Sequence, residues 1–209
     1  MEEKNNKSRF ITDFPYLGIL GIITAFIGWF VENLSKFIAR RFIDSRFHLL
    51  PFISPYGLAV FAVYLLIGDS NDISFFGRKL FKEKTKKSVI YSNVIAFFLI
   101  CFVVFIGELV VGNLWEILFG VELWNYDNHF LHVTSYTSVL TTFGFGGGAY
   151  LLQKFIMYPA LEFFKKHVSY KKASFFSIVV GSIIVLDTII MMMNIILFGE
   201  AKMYWEIQF

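Results

Sequence analysis

Cysteine, proline and charge are all scarce in this sequence. Its 209 residues hold one cysteine and four prolines, and only 17% are Asp, Glu, Lys or Arg. One cysteine leaves no internal disulfide and no Cys-rich metal centre. With so few prolines there is no Pro-rich linker, and the chain has neither an internal repeat nor a low-complexity stretch. A soluble domain carries about 25% charged residues, so the low charge excludes a disordered chain and a nucleic-acid-binding surface. Signature motifs are missing too. No HExxH occurs. Gly144, Gly146, Gly147 and Gly148 resemble a phosphate loop in composition only, because no Gly-Lys-Ser/Thr follows them. What the sequence has instead is apolar bulk: 56% apolar residues, 20% aromatic, 27 Phe and a mean hydropathy of +0.62. A single small domain cannot bury that much apolar surface and stay soluble. The class that remains is an integral membrane protein of one domain, residues 1–209.

A crossing helix needs about 20 apolar residues. Five stretches qualify: Phe14–Val31, Leu49–Gly68, Ser88–Gly107, Val133–Gln153, and Ala173–Gly199, which only Asp187 interrupts. Pro51 and Pro55 spoil the first turns of the second. Extended to their natural limits the predicted spans are 14–35, 49–68, 88–119, 133–156 and 173–199. Backbone groups in lipid must pair within their own segment and no barrel-like alternation is present, so each is predicted helical. The expected fold is an all-α, polytopic membrane helix bundle of about five transmembrane helices. Lys and Arg divide unevenly between its two sides, fourteen against five, with Lys4, Lys7, Arg9, the 78–87 run and the 154–172 run on the richer side. The positive-inside rule then places the N-terminus inside and the C-terminus outside. The formal net charge of +3 is mostly a consequence of this topology. Leu161, Phe164 and Val168 recur at helical spacing with lysines between them, which predicts a short amphipathic helix on the inner surface.

Carboxylates inside or at the ends of the spans are the candidate functional groups, because a charge in lipid costs roughly 2.5–3.5 kcal/mol on insertion scales. Four qualify: Glu32, Glu108, Glu116 and Asp187. Gly21, Ala25, Gly28 and Glu32 share one helix face, a small-residue stripe that lets another helix approach. Glu32 also stands four residues before Lys36, in the order that favours a pair. Glu108 and Glu116 lie eight residues apart with Gly112 midway, a rise of about 12 Å. That spacing suits one cavity at two depths but not a shared ion. The loop after the third span, from Trp124 and Tyr126 to His132, is aromatic with polar tips and suits the membrane interface. His129, His132, Asp127 and Glu116 form a weak metal pattern, outweighed by interfacial hydrogen bonding, so no metal and no cofactor is expected. The broken helix start at Pro51–Pro55 implies a cavity mouth. There Arg46 is expected to pair with Glu32 or Glu116, or to hold an anionic group. A charged partner or a cation is expected at Glu108.

In order and spacing, Gly28-Trp29-Phe30-Val31-Glu32, Arg46, the Pro51–Gly57 run, Gly107-Glu108, Trp115-Glu116, Phe119-Gly120 and Trp124-Asn125-Tyr126 resemble the Putative ABC-transporter type IV (CmpB-like) family of small membrane proteins. The resemblance covers roughly Gly28–Gly148, and Lys154–Phe209 has no counterpart in it. It implies a permease-like component of the cell membrane with an outward-facing polar cavity lined by carboxylates. Its expected partners are membrane lipids, and either a separate ATPase subunit or another membrane protein. The alternatives are a membrane-embedded enzyme acting on a lipid or isoprenoid, with catalytic residues unknown, and a non-catalytic scaffold or regulator in which the charges staple helices.

Overall fold

A computed structural model of the chain describes the backbone of residues 2–209 and the side chains from Phe10 onward. The side chains of Lys4, Lys7 and Arg9, counted above toward the inner charge, lie outside the described residues. In order, the elements are α1 (Glu2–Arg40), β1 (Phe42–Asp44), α2 (Ser54–Leu66), β2 (Gly68–Asp69), β3 (Asp72–Phe75), β4 (Arg78–Lys79) and α3 (Lys86–Phe119). There follow β5 (His132–Thr134), β6 (Thr137–Ser138), α4 (Val139–Leu152), a π-helical turn (Gln153–Met157), α5 (Tyr158–His167), α6 (Tyr170–Phe198) and β7 (Glu206–Gln208).

Among the described residues, three helices are long and apolar enough to cross a membrane: Phe10–Arg40, Lys86–Phe119 and Tyr170–Phe198. The chain is therefore a multi-pass membrane protein, mostly helical. Residues in the most apolar windows of α3 and α6 are mainly exposed, with 17% buried in each against 44% in α1, so α3 and α6 present the broadest apolar faces to lipid. Local chemistry sets the ends of these helices. Thr85 and Ser88 form a reciprocal capping box that starts α3, and Gly120 ends it in the left-handed conformation.

The structure differs from the sequence reading at the second and fourth expected spans. Pro51 and Pro55 keep residues 49–53 irregular, and the second helix runs only over Ser54–Leu66. Its 13 residues rise about 20 Å, short of the roughly 30 Å hydrocarbon core. The fourth span does not begin at Val133, because residues 132–138 form a β5–β6 hairpin and the helix starts at Val139. That helix then runs on through the π turn into α5. The turn lies just ahead of Pro159, whose ring would clash with the carbonyl four residues back in a regular helix. Small antiparallel sheets also correct the all-α expectation: β1–β7, β2–β3–β4 and β5–β6.

The residues divide into two compact units. One holds Arg9–Ala62 with Leu161–Phe209. Within it the small-residue stripe of α1 is used as expected. A Cβ at Gly57 would lie 2.8 Å from the Gly21 carbonyl, and one at Gly28 would enter the Tyr56 ring. On α6, the Ser177 hydroxyl donates to the Pro15 carbonyl at 2.6 Å. The other unit is Met1–Ser8 with Val63–Ala160. Within it α4 packs on α3 through Gly146, where a Cβ would stand 2.6 Å from Cys101 Sγ.

Candidate functional site

In the unit of α1, α2 and α6, the loop after α1 gathers the charged groups. β1 pairs with β7, so the C-terminal residues strap this loop down. The Ser45 N–H donates to the Trp205 carbonyl, and the Tyr204 N–H to Ser45 Oγ. Asp44 is buried at the strap. Its N–H donates to Asn33 Oδ1 at 2.7 Å, and its carboxylate accepts from the Arg46 N–H and from Lys36. Lys36 therefore serves Asp44 rather than Glu32, four residues before it. Glu32 takes two other donors, the Arg46 guanidinium and the Tyr56 hydroxyl at 2.9 Å.

Asp187, 4% exposed, comes from the middle of α6 and accepts from the backbone N–H groups of Leu49 and Leu50 at 2.8 and 3.2 Å. It thus satisfies donors that the Pro51 break leaves without a helical partner. His48 Nδ1 lies 3.4 Å from Asp187 Oδ2. Burial holds the His48 imidazole below its ordinary pKa, with Asp187 pulling the other way.

Among the described residues of this unit, four buried donor-capable atoms have no hydrogen-bond partner: Trp29 Nε1, Arg46 Nε, His48 Nδ1 and Ser174 Oγ. Arg46 and Phe47 both adopt positive φ, 52° and 68°, an uncommon conformation for residues other than glycine. Backbone outliers of this kind concentrate at functional sites. Trp29 packs on Trp205 at 5.9 Å, which closes the aromatic side of the cluster.

In the unit of α3 and α4 the acids are held differently. Glu108 accepts from the hydroxyls of Thr137 and Thr141, at 3.0 and 3.5 Å. Thr137 and Ser138 are fully buried, and Ser138 caps α4 through Thr141. The Glu108 carboxyl therefore sits beside the N-terminus of α4. The charged partner expected at Glu108 is replaced by these hydroxyls, because the β5–β6 hairpin brings them to it; among the described residues no cation pairs with it. Glu116 accepts from the Tyr136 hydroxyl at 2.6 Å. Gly112 makes that reach possible, since a Cβ there would enter the Tyr136 ring. Tyr136 lies in the hairpin ahead of α4, and its bond to Glu116, with burial and neighbouring acids, pushes the phenol up to about 12.

Trp124 braces the same turn by donating to the Tyr136 carbonyl at 2.9 Å, and the Tyr126 N–H donates to the Ser135 carbonyl. His129 packs edge-on to Tyr126, and His132 Nδ1 faces the His129 carbonyl. The weak metal pattern is thus not assembled, and among the described residues no group of three or more His, Cys, Asp or Glu could hold an ion.

Sequence reasoning missed the hydroxyl donors to Glu108 and Glu116 and the C-terminal strap. The Ser138-x-x-Thr141 capping pattern ahead of an apolar run was the available signal for the first. No signal of comparable strength marks residues 200–209.

Comparison with curated proteins and with solved structures gives no match. The family model described as Putative ABC-transporter type IV matches residues 19–192. The match reaches well past Lys154, which corrects the expectation that Lys154–Phe209 stands apart, and it takes in α6 as far as Asp187 and beyond. Because it spans most of the chain and takes in Glu32, Glu108, Glu116 and Asp187, this protein belongs to the Putative ABC-transporter type IV family.

Proposed function

We propose that the protein is a permease-like component of the cell membrane that moves a small polar solute or lipid, with ATP hydrolysis carried on a separate chain. The observation that carries this reading is a buried, unpartnered donor, Arg46 Nε, on the guanidinium that pairs with Glu32, together with a second such donor, Trp29 Nε1, on the helical turn before Glu32. Orphaned buried donors are costly. A ligand with acceptor oxygens would satisfy them, and Glu32 would hold the rest of the guanidinium while it did so. Asp187 acts here through the loop it caps. Glu108 and Glu116 supply carboxylates with hydroxyl partners within the other unit, where Trp124 and Tyr126 brace the turn that carries those partners.

The sequence offers no nucleotide-binding motif, so the energy source lies on a partner. The charge split supports five crossings with the N-terminus inside and the C-terminus outside. Residues 49–68 would contribute the second crossing as a short helix with an irregular entry. This leaves the basic inner loops to meet the ATPase.

Purification in a mild detergent, followed by assay for ATP hydrolysis and for a nucleotide-binding chain crosslinked to the inner loops, tests the proposal. We expect both, and expect both to be lost with Lys166→Glu and Lys172→Glu together. A preparation with neither overturns it.

A second reading has its own support. Each of the four membrane-level acids already has internal partners, as expected of charges that staple a scaffold. Under that reading Arg46→Gln would alter stability and nothing else.

A further inference from the structure

The turn between β3 and β4 carries residues its geometry does not call for. Phe75 pairs with Arg78, which leaves Phe76 and Gly77 as a two-residue loop. Both have positive φ, 49° and 77°. Such turns favour Asn-Gly or Asp-Gly, because a bulky side chain is strained there. Phe76 is nonetheless 59% exposed and Phe75 52%, with their rings edge-to-face at 4.8 Å. Neither ring is buried in the protein, so folding of the hairpin does not explain the choice of residue.

The turn is also held in place. The Phe76 N–H donates to the Leu65 carbonyl, the Ser74 N–H to the Ile67 carbonyl and the Leu80 N–H to the Ile73 carbonyl. An exposed aromatic pair is thus displayed on a fixed support.

Its position is constrained by α3. That helix begins at Lys86 and is the most apolar of the candidate spans. Six residues separate β4 from it, a reach of roughly 20 Å at most. The hairpin therefore lies near the point where the chain enters lipid. Arg78, Lys82 and Lys84 follow the aromatic tip within eight residues in the sequence, all exposed, with Leu80 also exposed. Lys79 is partly neutralised by Asp72. An exposed apolar tip followed closely in the chain by exposed cations matches an anionic membrane surface, where aromatic rings occupy the headgroup level and Lys and Arg meet phosphates.

We propose that the β3–β4 hairpin is a membrane-surface anchor, seating Phe75 and Phe76 at the headgroup–acyl boundary of an anionic leaflet with Arg78, Lys82 and Lys84 on lipid phosphates. The proposal needs α3 to cross a membrane and does not depend on transport.

The test uses the full-length chain with Cys101→Ala in bilayer discs of phosphatidylcholine, with or without phosphatidylglycerol. An environment-sensitive fluorophore is placed at Phe76→Cys, or at Glu83→Cys for comparison. We expect position 76 to be quenched by nitroxides carried at shallow depth on lipid, more strongly with phosphatidylglycerol, and position 83 to be quenched mainly by aqueous iodide. Equal iodide quenching at both positions, without lipid quenching at 76, overturns the proposal. So does protection at 76 that appears only when a second protein is added.

A label-free variant keeps the test sharp. Phe76→Asn suits the turn, so the unfolding temperature should hold or rise, while phosphatidylglycerol retained per protein should fall at least about twofold. Unchanged retention overturns the anchor. A lower unfolding temperature with unchanged retention also overturns it, by showing that the ring serves the fold.

Discussion

The acids around α1 and α6 and those around α3 and α4 are held in opposite ways. Around α1 and α6, acids are matched with cations: Glu32 with Arg46, Asp44 with Lys36, and Asp13 with Lys165 at 2.7 Å. Around α3 and α4, Glu108 and Glu116 are matched with hydroxyls alone. The two solutions have different consequences. An ion pair away from water is an obligation on both sides, because losing one partner strands the other charge. A hydroxyl that loses its carboxylate rotates to another acceptor, and a carboxyl facing hydroxyls can hold or release a proton without stranding anything. The first unit is therefore built to stay put, and the second tolerates a change of charge.

The largest expected effect comes from breaking an ion pair. Glu32→Ala leaves the half-buried Arg46 guanidinium without its carboxylate and should cost about 3 kcal/mol, the low end for a stranded buried charge. Glu108→Gln keeps an acceptor for Thr137 and should cost less than about 1 kcal/mol. Thermal unfolding of both variants in one detergent checks the contrast. Comparable losses would erase the distinction between the units.

A steric comparison comes next. Gly112→Ala drives a methyl into the Tyr136 ring and should cost about 1–3 kcal/mol, as overpacking does. Gly107 lies five residues earlier on the same helix with nothing within 4 Å of an added Cβ. Gly107→Ala should be neutral or slightly stabilising. Equal destabilisation at the two positions would mean that the Tyr136–Glu116 arrangement does not depend on a close approach at Gly112.

How much of this was legible beforehand varied by element. The predicted spans 88–119 and 173–199 lie within three residues of α3 and α6, because long uncharged runs in lipid admit little but helix. The break at Pro51–Pro55 was legible for the same kind of reason, since Pro cannot donate. The hairpin at 132–138 was not: strands of two or three residues carry no alternation, and the apolar run simply continued through Val133. The four acids were legible as unusual, but their partners were not. Arg46 reaches Glu32 only because the β1–β7 strap bends the loop, and the strap joins residues more than 160 positions apart. The hydroxyls reach Glu108 only through the hairpin.

A pH comparison follows from His48. Burial lowers its pKa below 6.5, so the unfolded chain takes up a proton there more readily than the folded one. Stability should therefore rise with pH as the medium passes up through the ordinary histidine range, and fall as it passes down. His48→Asn should flatten that dependence. The described histidines of the other unit, His129 and His132, are exposed. Unfolding temperatures at mildly acidic and neutral pH, for parent and variant, check this. A parent that is indifferent to pH across the range would remove His48 from the argument.

A small effect should come from Tyr136→Phe, and it tests the tolerance ascribed to the second unit. The variant deletes the hydroxyl that donates to Glu116 but keeps the ring packed over Gly112. Glu116 is exposed, so water replaces the lost donor and no charge is stranded. The cost should then be that of one net hydrogen bond, about 0.5–1.5 kcal/mol. Alkaline titration separates this bond from ring packing. The phenol is pushed up from 10 to about 12, so its contribution is fully present below pH 10 and is lost as the pH rises toward 12. The parent should lose stability across that window, and Tyr136→Phe should lose less. If the variant instead costs as much as Glu32→Ala at neutral pH, then Glu116 depends on its partner no less than the acids of the ion-paired unit do, and the second unit has no spare tolerance for a change of charge.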